Sequence, residues 1–462
     1  MEATDKIFID ENKINELIEL TPSQDKINEI LNKALSLKGL YFKDAAMLLN
    51  VNDRENLEKI FHTAREVKEK IYGKRIVLFA PLYLSNYCSN NCLYCGFRHD
   101  NKAIKRKMLT VDEVIEEVKA IVNTGHKRIL LVAGEDTNIC NLDYIEEIIN
   151  RIYELKIMNG EVRRLNINIA PLSTEDFKRL ADFGIGTYQS FQETYHKETY
   201  KKMHPSGLKA NYNWRLETMD RALEAGLHDV GMGVLFGLTD YRFEVIATLM
   251  HARHLEQKYG VGPNTLSIPR IEPAQGSDVS NNPPFAIDDT SFKKIISVLR
   301  LAVPYTGIIL STRERASFRK ELLELGVSQI SAGSKTNPGG YQAEKKSTEQ
   351  FSVGDTRSLD EVVLELTEND YIPSFCTSCY RVGRVGKDFM EFAKPGLIQK
   401  FCEPNAILTF KEYLADYASD QTRESGEKLI AKLVEKMADE RGKQKIKTQL
   451  TEMEQGKRDI YI

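Results

Sequence analysis

Eight short runs of β-prone apolar residues, each parted from the next by a helical stretch, limit what this chain can fold into. They are RIVLFAPLYLS (75–85), RILLVAG (128–134), RLNINIA (164–170), TYQSFQ (187–192), DVGMGVLFG (229–237), TLSIPRI (265–271), TGIILST (306–312) and VSQISAG (327–333). Between them lie amphipathic segments such as TVDEVIEEVKAIVNTG, TEDFKRLADFG and DRALEAG, with apolar residues three and four apart. Strand–helix alternation sustained over about 260 residues is what a (β/α)8 TIM barrel needs. A doubly wound sheet alternates too, but usually stops at about five to seven strands. The expected fold is therefore α/β, a (β/α)8 barrel whose chemistry sits on the loops after the strands.

Residues before the barrel read as helical. DKINEILNKALSLKG and NLEKIFHTAREVKEKIYG keep the helical period and end on a glycine suited to a C-cap. Beyond residue 340, GGYQAEKKSTEQ is polar and reads as a linker, followed by a segment ending in the charged helical run SGEKLIAKLVEKMADERGKQKIKTQLTEMEQ. The expected division is an N-terminal helical extension (1–72), a barrel (73–345) and a mainly helical C-terminal domain (346–462).

The chain has 462 residues, 42% of them hydrophobic and 28% charged, and a formal net charge of -3, which offers neither nucleic acid nor a membrane surface a basic face. The N-terminal stretch MEATDKIFIDENKINELIEL lacks the apolar core of a signal peptide, and no apolar run approaches the ~18 residues of a membrane span. A cytoplasmic protein is expected. Thiols stay reduced there, so crowded cysteines point to metal or catalysis rather than to disulfides.

Six of the seven cysteines are crowded. Cys88, Cys92 and Cys95 occupy the eight residues CSNNCLYC on the loop after the first strand. Three soft thiolates suit zinc or an iron–sulfur cluster, but structural zinc wants a fourth ligand, and nearby His99 is the one histidine at hand. Three ligands on a 4Fe–4S cluster leave one iron open. A second set, Cys376, Cys379 and Cys402, spells C-x2-C-x22-C outside the barrel and is again one ligand short, as an auxiliary cluster or an incomplete zinc ribbon would be. Cys140 reads as a buried or incidental thiol.

The CxxxCxxC spacing on the first loop of such a barrel resembles the radical S-adenosylmethionine (SAM) superfamily. The resemblance implies that the open iron is chelated by the methionine end of SAM, whose reductive cleavage yields a 5′-deoxyadenosyl radical. It further implies that Tyr94 packs near the adenine and that Gly134 and Glu135 in AGED hold the methionine ammonium, with Asn168, Glu193 and Arg215 as further SAM contacts.

At greater length the chain resembles the HydG family, the tyrosine lyases that mature FeFe-hydrogenase. The likeness runs through SNYCSNNCLYCGFRH, FQETYHKETYKKMHPSG, MDRALEAGLHDVGMGVLFGL, YGVGPNTLSIPRIEP, ILSTRE, SQISAGSKTNPGGY, FCTSCYRVGRVG and FCEPNAILTFKEYLADY. It implies cleavage of the Cα–Cβ bond of L-tyrosine to p-cresol and dehydroglycine, and conversion of the latter to CO and cyanide. Those ligands would enter an iron complex built on the second cluster, which carries a dangling fifth iron bridged by a non-protein cysteine. The implied partners are a reductant such as flavodoxin or ferredoxin and the hydrogenase maturation proteins, with no nucleic acid and no membrane.

Arg313 in STRE, after the seventh strand, is placed to bind the tyrosine carboxylate bidentately, with a barrel-rim salt bridge as its competing role. Ser331, ending the eighth strand, adds a hydrogen bond. His251 and His254 share one helix face, and the resemblance assigns His254 to the dangling iron. The chain departs from the family pattern at Asn264 and Thr356, where histidine is common, and at Ser190, where an apolar residue is usual. Two other readings stay open: a thiazole-pathway tyrosine lyase that stops at dehydroglycine, and a non-catalytic metal scaffold.

Overall fold

Each of the eight apolar runs becomes a strand, and all pair in parallel in sequence order. They are β1 (Arg75–Ser85), β2 (Arg128–Ala133), β3 (Arg164–Asn168), β4 (Thr187–Gln189), β5 (Asp229–Gly233), β6 (Thr265–Ser267), β7 (Gly307–Leu310) and β8 (Gln329–Ser331). β8 returns to β1 through Val77–Phe79, while β2 pairs with Ala80–Ser85, so the sheet closes into a barrel. The computed structural model describes residues 8–157, 160–342 and 349–462. The expected boundary at 345/346 lies outside the described residues.

Continuous burial explains why the strands read as unbroken apolar runs: ten of the eleven β1 residues are buried, because a helix layer covers the outer face and side chains fill the interior. The helix after β1, Val111–Asn123, starts at a capping box in which Thr110 Oγ1 accepts from Glu113 N–H (3.2 Å) and Glu113 accepts from Thr110 N–H (2.8 Å).

Ahead of the barrel stand helices Glu11–Ile18, Gln24–Ala34, Phe42–Leu49 and Arg54–Tyr72. The last packs on Asp289–Ala302 and Ala316–Leu325, the helices before β7 and β8. Two buried lysines fasten these layers without a carboxylate: Lys68 donates to Leu323 O (2.8 Å) and Lys294 to Val51 O (2.9 Å).

The sequence reading missed a ninth strand. β9 (Ile372–Ser374) lies parallel to Arg75–Val77 at the start of β1. Val77 pairs with both Gln329 and Ser374, so β8 and β9 occupy opposite edges of β1. β9 delivers the C-terminal segment to the N-terminal mouth of the barrel. There the helix Gln399–Asp416 is pinned by the buried Glu412, which takes Arg163 at 2.7 Å and Lys127 at 3.3 Å. Among the described residues, no helix is long and apolar enough to cross a membrane.

Candidate active site and second cysteine site

A cavity of about 210 Å³ opens among the loops at the C-terminal ends of the strands. Cys88, Cys92, Cys95, Tyr94, Gly134, Glu135, Asn168, Glu193, Arg215, Arg313 and Ser331 all line it. Residues spread over more than 240 positions of sequence thus meet because they follow, or end, six of the barrel strands: β1, β2, β3, β4, β7 and β8.

The cysteine loop is held in shape by its own side chains. Arg106 donates to the carbonyls of Asn86 (2.5 Å), Phe97 (2.8 Å) and Arg98 (2.6 Å), and Asn101 bridges Gly96 O and Gln275 O, each at 2.8 Å. Burial pushes the Cys88 and Cys95 thiols up to about 11 and Cys92 to about 12, and neighbouring thiolates add to each shift. Such a set of free, soft donors that repel one another as anions fits a cationic cluster well. His99 does not complete a zinc site here: its side chain is 61% exposed and bonds Asp100.

Beside the cysteines lies a buried charge network. Glu135 accepts from Arg215 (2.7 Å) and Asn90 (2.9 Å), Glu193 accepts from Lys209 (2.6 Å), and Lys209 stands 3.9 Å from Glu135. Burial opposes ionisation of Glu135, but Arg215 and Lys209 outweigh it and hold the carboxyl below its usual range. Lys209 carried no signal in the sequence, where it sits in PSGLKA. Glu193 has a φ of +69°, the left-handed region, which turns its side chain out of the β4 line. Gly134 has a simple reason to be glycine: a Cβ there would collide with the Tyr87 carbonyl of the cysteine loop. Tyr94, 8% exposed, is fixed by a 2.8 Å hydrogen bond between its hydroxyl and His204 Nε2.

Arg313 lines the same cavity from the loop after β7 and is half-buried there. Its guanidinium lies 3.4 Å from the Phe351 ring centroid, and among the described residues no carboxylate comes within salt-bridge distance of it. The competing rim salt bridge is made by other residues instead, with Arg270 pairing with Glu314 and Arg315 with Asp289. Ser331 is buried on the cavity wall, its carbonyl taken by Arg319 (2.6 Å). Tyr83, Gln350 and Phe351 also line the cavity and were not singled out from sequence.

The second triad meets at the opposite end of the barrel. Cys376, Cys379 and Cys402 line a cavity of about 60 Å³ with Arg75, Arg128, Asp229, Asn264, Tyr380 and Arg384. Arg384 Nη1 is 3.7 Å from Cys379 Sγ, and Arg128 donates to Cys376 O (3.0 Å). The donor set again fits an iron–sulfur cluster, with arginines to balance its thiolates. Asn264, one of the departures from the family pattern, is part of this wall.

The structure does not bring His254 to that wall. It pairs with Asp220 (2.8 Å) and stacks on Phe8 with centroids 3.9 Å apart, on the outer helix Tyr241–Tyr259. The assignment of His254 to iron is corrected accordingly: its nitrogen is already engaged by a carboxylate that also takes Lys258 and Tyr259.

Comparison with known proteins agrees with this geometry. The radical SAM superfamily model matches residues 82–250, and the biotin and thiamin synthesis associated domain matches residues 267–372. The 2-iminoacetate synthase of Escherichia coli (strain K12) is 33% identical over 74% of this chain and 89% of its own length. A crystal structure of HydG, a maturase of the [FeFe]-hydrogenase, superposes with a TM-score of 0.96 at 51% identity, covering 98% of this chain and all of that one (100%). The FeFe-hydrogenase maturase HydG from Carboxydothermus hydrogenoformans gives a TM-score of 0.85 at 42% identity, over 97% of this chain and 100% of the other. With the cysteine loop, the closed barrel and the full-length match in agreement, the chain belongs to the HydG family of radical SAM hydrogenase maturases.

Proposed function

We propose that the chain is a tyrosine lyase that breaks the Cα–Cβ bond of L-tyrosine to give p-cresol and dehydroglycine. Dehydroglycine then yields CO and cyanide as ligands for an iron complex used in FeFe-hydrogenase assembly. The observation that carries the reading is the guanidinium of Arg313, held on Phe351 without a carboxylate partner inside the cavity that holds the three cysteines. A planar fork of donors left free in a cavity of this kind suits the carboxylate of an amino acid.

In this reading Cys88, Cys92 and Cys95 hold a 4Fe–4S cluster and leave its fourth iron to SAM. Held there, cluster and SAM would supply the radical chemistry that hydrogen-atom abstraction from substrate needs. The protein's own part is placement. Glu135, kept ionised by Arg215 and Lys209, offers its carboxylate to the SAM ammonium. Tyr94, Asn168 and Glu193 shape the rest of the SAM site, while Arg313 and the Ser331 hydroxyl hold the tyrosine backbone groups. Phe79, Phe97, Phe191 and Leu235 wall the space and keep water from the radical. Cys376, Cys379 and Cys402 would hold an auxiliary 4Fe–4S cluster with a fifth iron and a non-protein cysteine. A flavodoxin or ferredoxin supplies electrons, and hydrogenase maturation proteins receive the product.

The likeness to 2-iminoacetate synthase favours a second reading, a lyase that stops at dehydroglycine. Anaerobic incubation with SAM, tyrosine and reductant separates them: the proposal expects p-cresol together with CO captured by deoxyhaemoglobin. p-Cresol without CO supports the second reading, and neither product removes both.

A further inference from the structure

Glu349 and Gln350 end the stretch that reads in the sequence as a polar connector, yet in the fold they press against the cysteine loop. A Cβ on Gly96 would stand 2.8 Å from the Gln350 carbonyl oxygen and 3.3 Å from that of Glu349. The strap is fixed on both flanks, Gln350 N–H donating to Thr336 O (3.0 Å) and Ser352 N–H to Pro273 O (2.9 Å). From this strap the Gln350 side chain points at the site. Its Oε1 accepts from the Tyr83 hydroxyl (2.7 Å), and its Nε2 lies 3.8 Å from Cys95 Sγ, within the longer reach of a hydrogen bond to sulfur.

The two contacts agree on one orientation of the amide. A metal-bound thiolate only accepts, so Gln350 must turn its NH2 toward Cys95 and its oxygen toward a donor, which Tyr83 provides. Tyr83 is 5% exposed and sits in the continuously buried part of β1, so the orienting hydroxyl is itself fixed. A donor aimed at a cluster sulfur favours the more electron-rich, reduced state and thereby raises the reduction potential.

We infer that Gln350 is a positioning residue for the SAM-binding cluster: oriented by Tyr83, it donates to the Cys95 sulfur and raises the cluster's reduction potential. The inference rests on the cluster reading of the first cysteine triad and is independent of which amino acid is cleaved. Phe351, next on the same strap, packs on Arg313 and has no hydrogen-bond donor to offer a cysteine sulfur, which makes it an internal control for movement of the strap.

The test is the midpoint potential of the cluster, followed by EPR during redox titration of the full, anaerobically reconstituted chain. Q350L is expected to titrate at a more negative potential than wild type, Y83F to shift the same way by less, and F351L to match wild type. Equal potentials for Q350L and wild type overturn the inference, as does an F351L shift as large as that of Q350L. Should Q350L fail to hold its cluster, Y83F decides, and a wild-type potential in that variant overturns the inference. Failure of the underlying reading looks different, because wild type itself would then lack a cluster signal that responds to SAM.

Discussion

Arg215 stands 2.7 Å from Glu135, from which it is 80 residues distant in sequence; Arg215 is buried and Glu135 mostly so, beside the cysteine loop. The pair joins the loop after β2 to the short helix Tyr212–Leu216, and Arg215 also donates to Phe191 O (2.8 Å) after β4. A carboxylate placed between a guanidinium, an ammonium and an amide keeps its charge in a site where burial alone would neutralise it.

Glu135→Gln is expected to weaken SAM binding by roughly 10- to 100-fold, the value of about one charge-assisted hydrogen bond lost. It should also lower the melting temperature, because Arg215 is left buried with its charge uncompensated. The folded carboxyl lies below its unfolded value, so the stability it confers is present above an unfolded pKa near 4.5 and is lost as pH falls through the folded value. Calorimetric titration with SAM at pH 7, with thermal scans from pH 7 down to 4, checks both parts. An unchanged affinity would remove Glu135 from the SAM site.

Arg313→Lys keeps a positive charge but loses the flat fork that rests on Phe351. Tyrosine turnover is expected to fall by about 10- to 100-fold in kcat/KM, with Arg313→Gln lower still. Reductive SAM cleavage without tyrosine should persist in both variants, since Glu135 and the cysteines are untouched. Quantifying p-cresol against 5′-deoxyadenosine measures the two separately, and equal losses in both would point to a collapsed cavity instead.

Glu244 supports the site from below. Buried in the helix Tyr241–Tyr259, it accepts from the Tyr195 N–H (2.9 Å) and the Thr194 hydroxyl, the two residues that follow the left-handed Glu193. Burial pushes its carboxyl up to about 8. The folded state therefore retains a proton that the unfolded chain releases near 4.5, and stability drops by about 1.4 kcal/mol per pH unit between those values. Glu244→Gln keeps an acceptor oxygen and removes the ionisation, so its melting temperature should gain on wild type steadily from pH 6 to pH 8. Parallel curves for the two proteins would refute this.

The barrel was legible because eight short β-prone runs alternate with helical stretches, and a strand covered on both faces reads as a nearly unbroken apolar run, as RIVLFAPLYLS does. Strand β9 was not, since three residues with a proline in the middle carry no period, and only pairing with Arg75–Val77 at the start of β1 makes Ile372–Ser374 a strand. The cysteine triads were legible through spacing and the ligand chemistry of thiolates. Lys209, Tyr83 and Gln350 were hidden for a common reason: each acts on a partner more than 15 residues away, across loops whose approach depends on barrel closure. His254 shows the converse error, in which a histidine on a helix face is drawn toward metal while the fold gives it Asp220 and Phe8.

The separation of the two triads makes their contributions separable. Cys376, Cys379 and Cys402 lie at the N-terminal mouth, and none of them lines the cavity at the other end. The helix carrying Cys402 is also anchored independently, through Glu412 with Arg163 and Lys127 and through Asn405 with the chain end at Ile462 (2.8 Å and 3.0 Å). Replacing all three cysteines by serine should therefore leave the barrel folded and remove about four to five irons per chain from the reconstituted protein. The EPR signal that shifts on adding SAM should remain, and p-cresol should still form at a rate within about threefold of wild type. The iron complex should be lost, which infrared bands of iron-bound CO and cyanide would report. Loss of p-cresol together with that complex, in a variant whose SAM-responsive signal is intact, would show that the second cluster takes part in tyrosine cleavage itself.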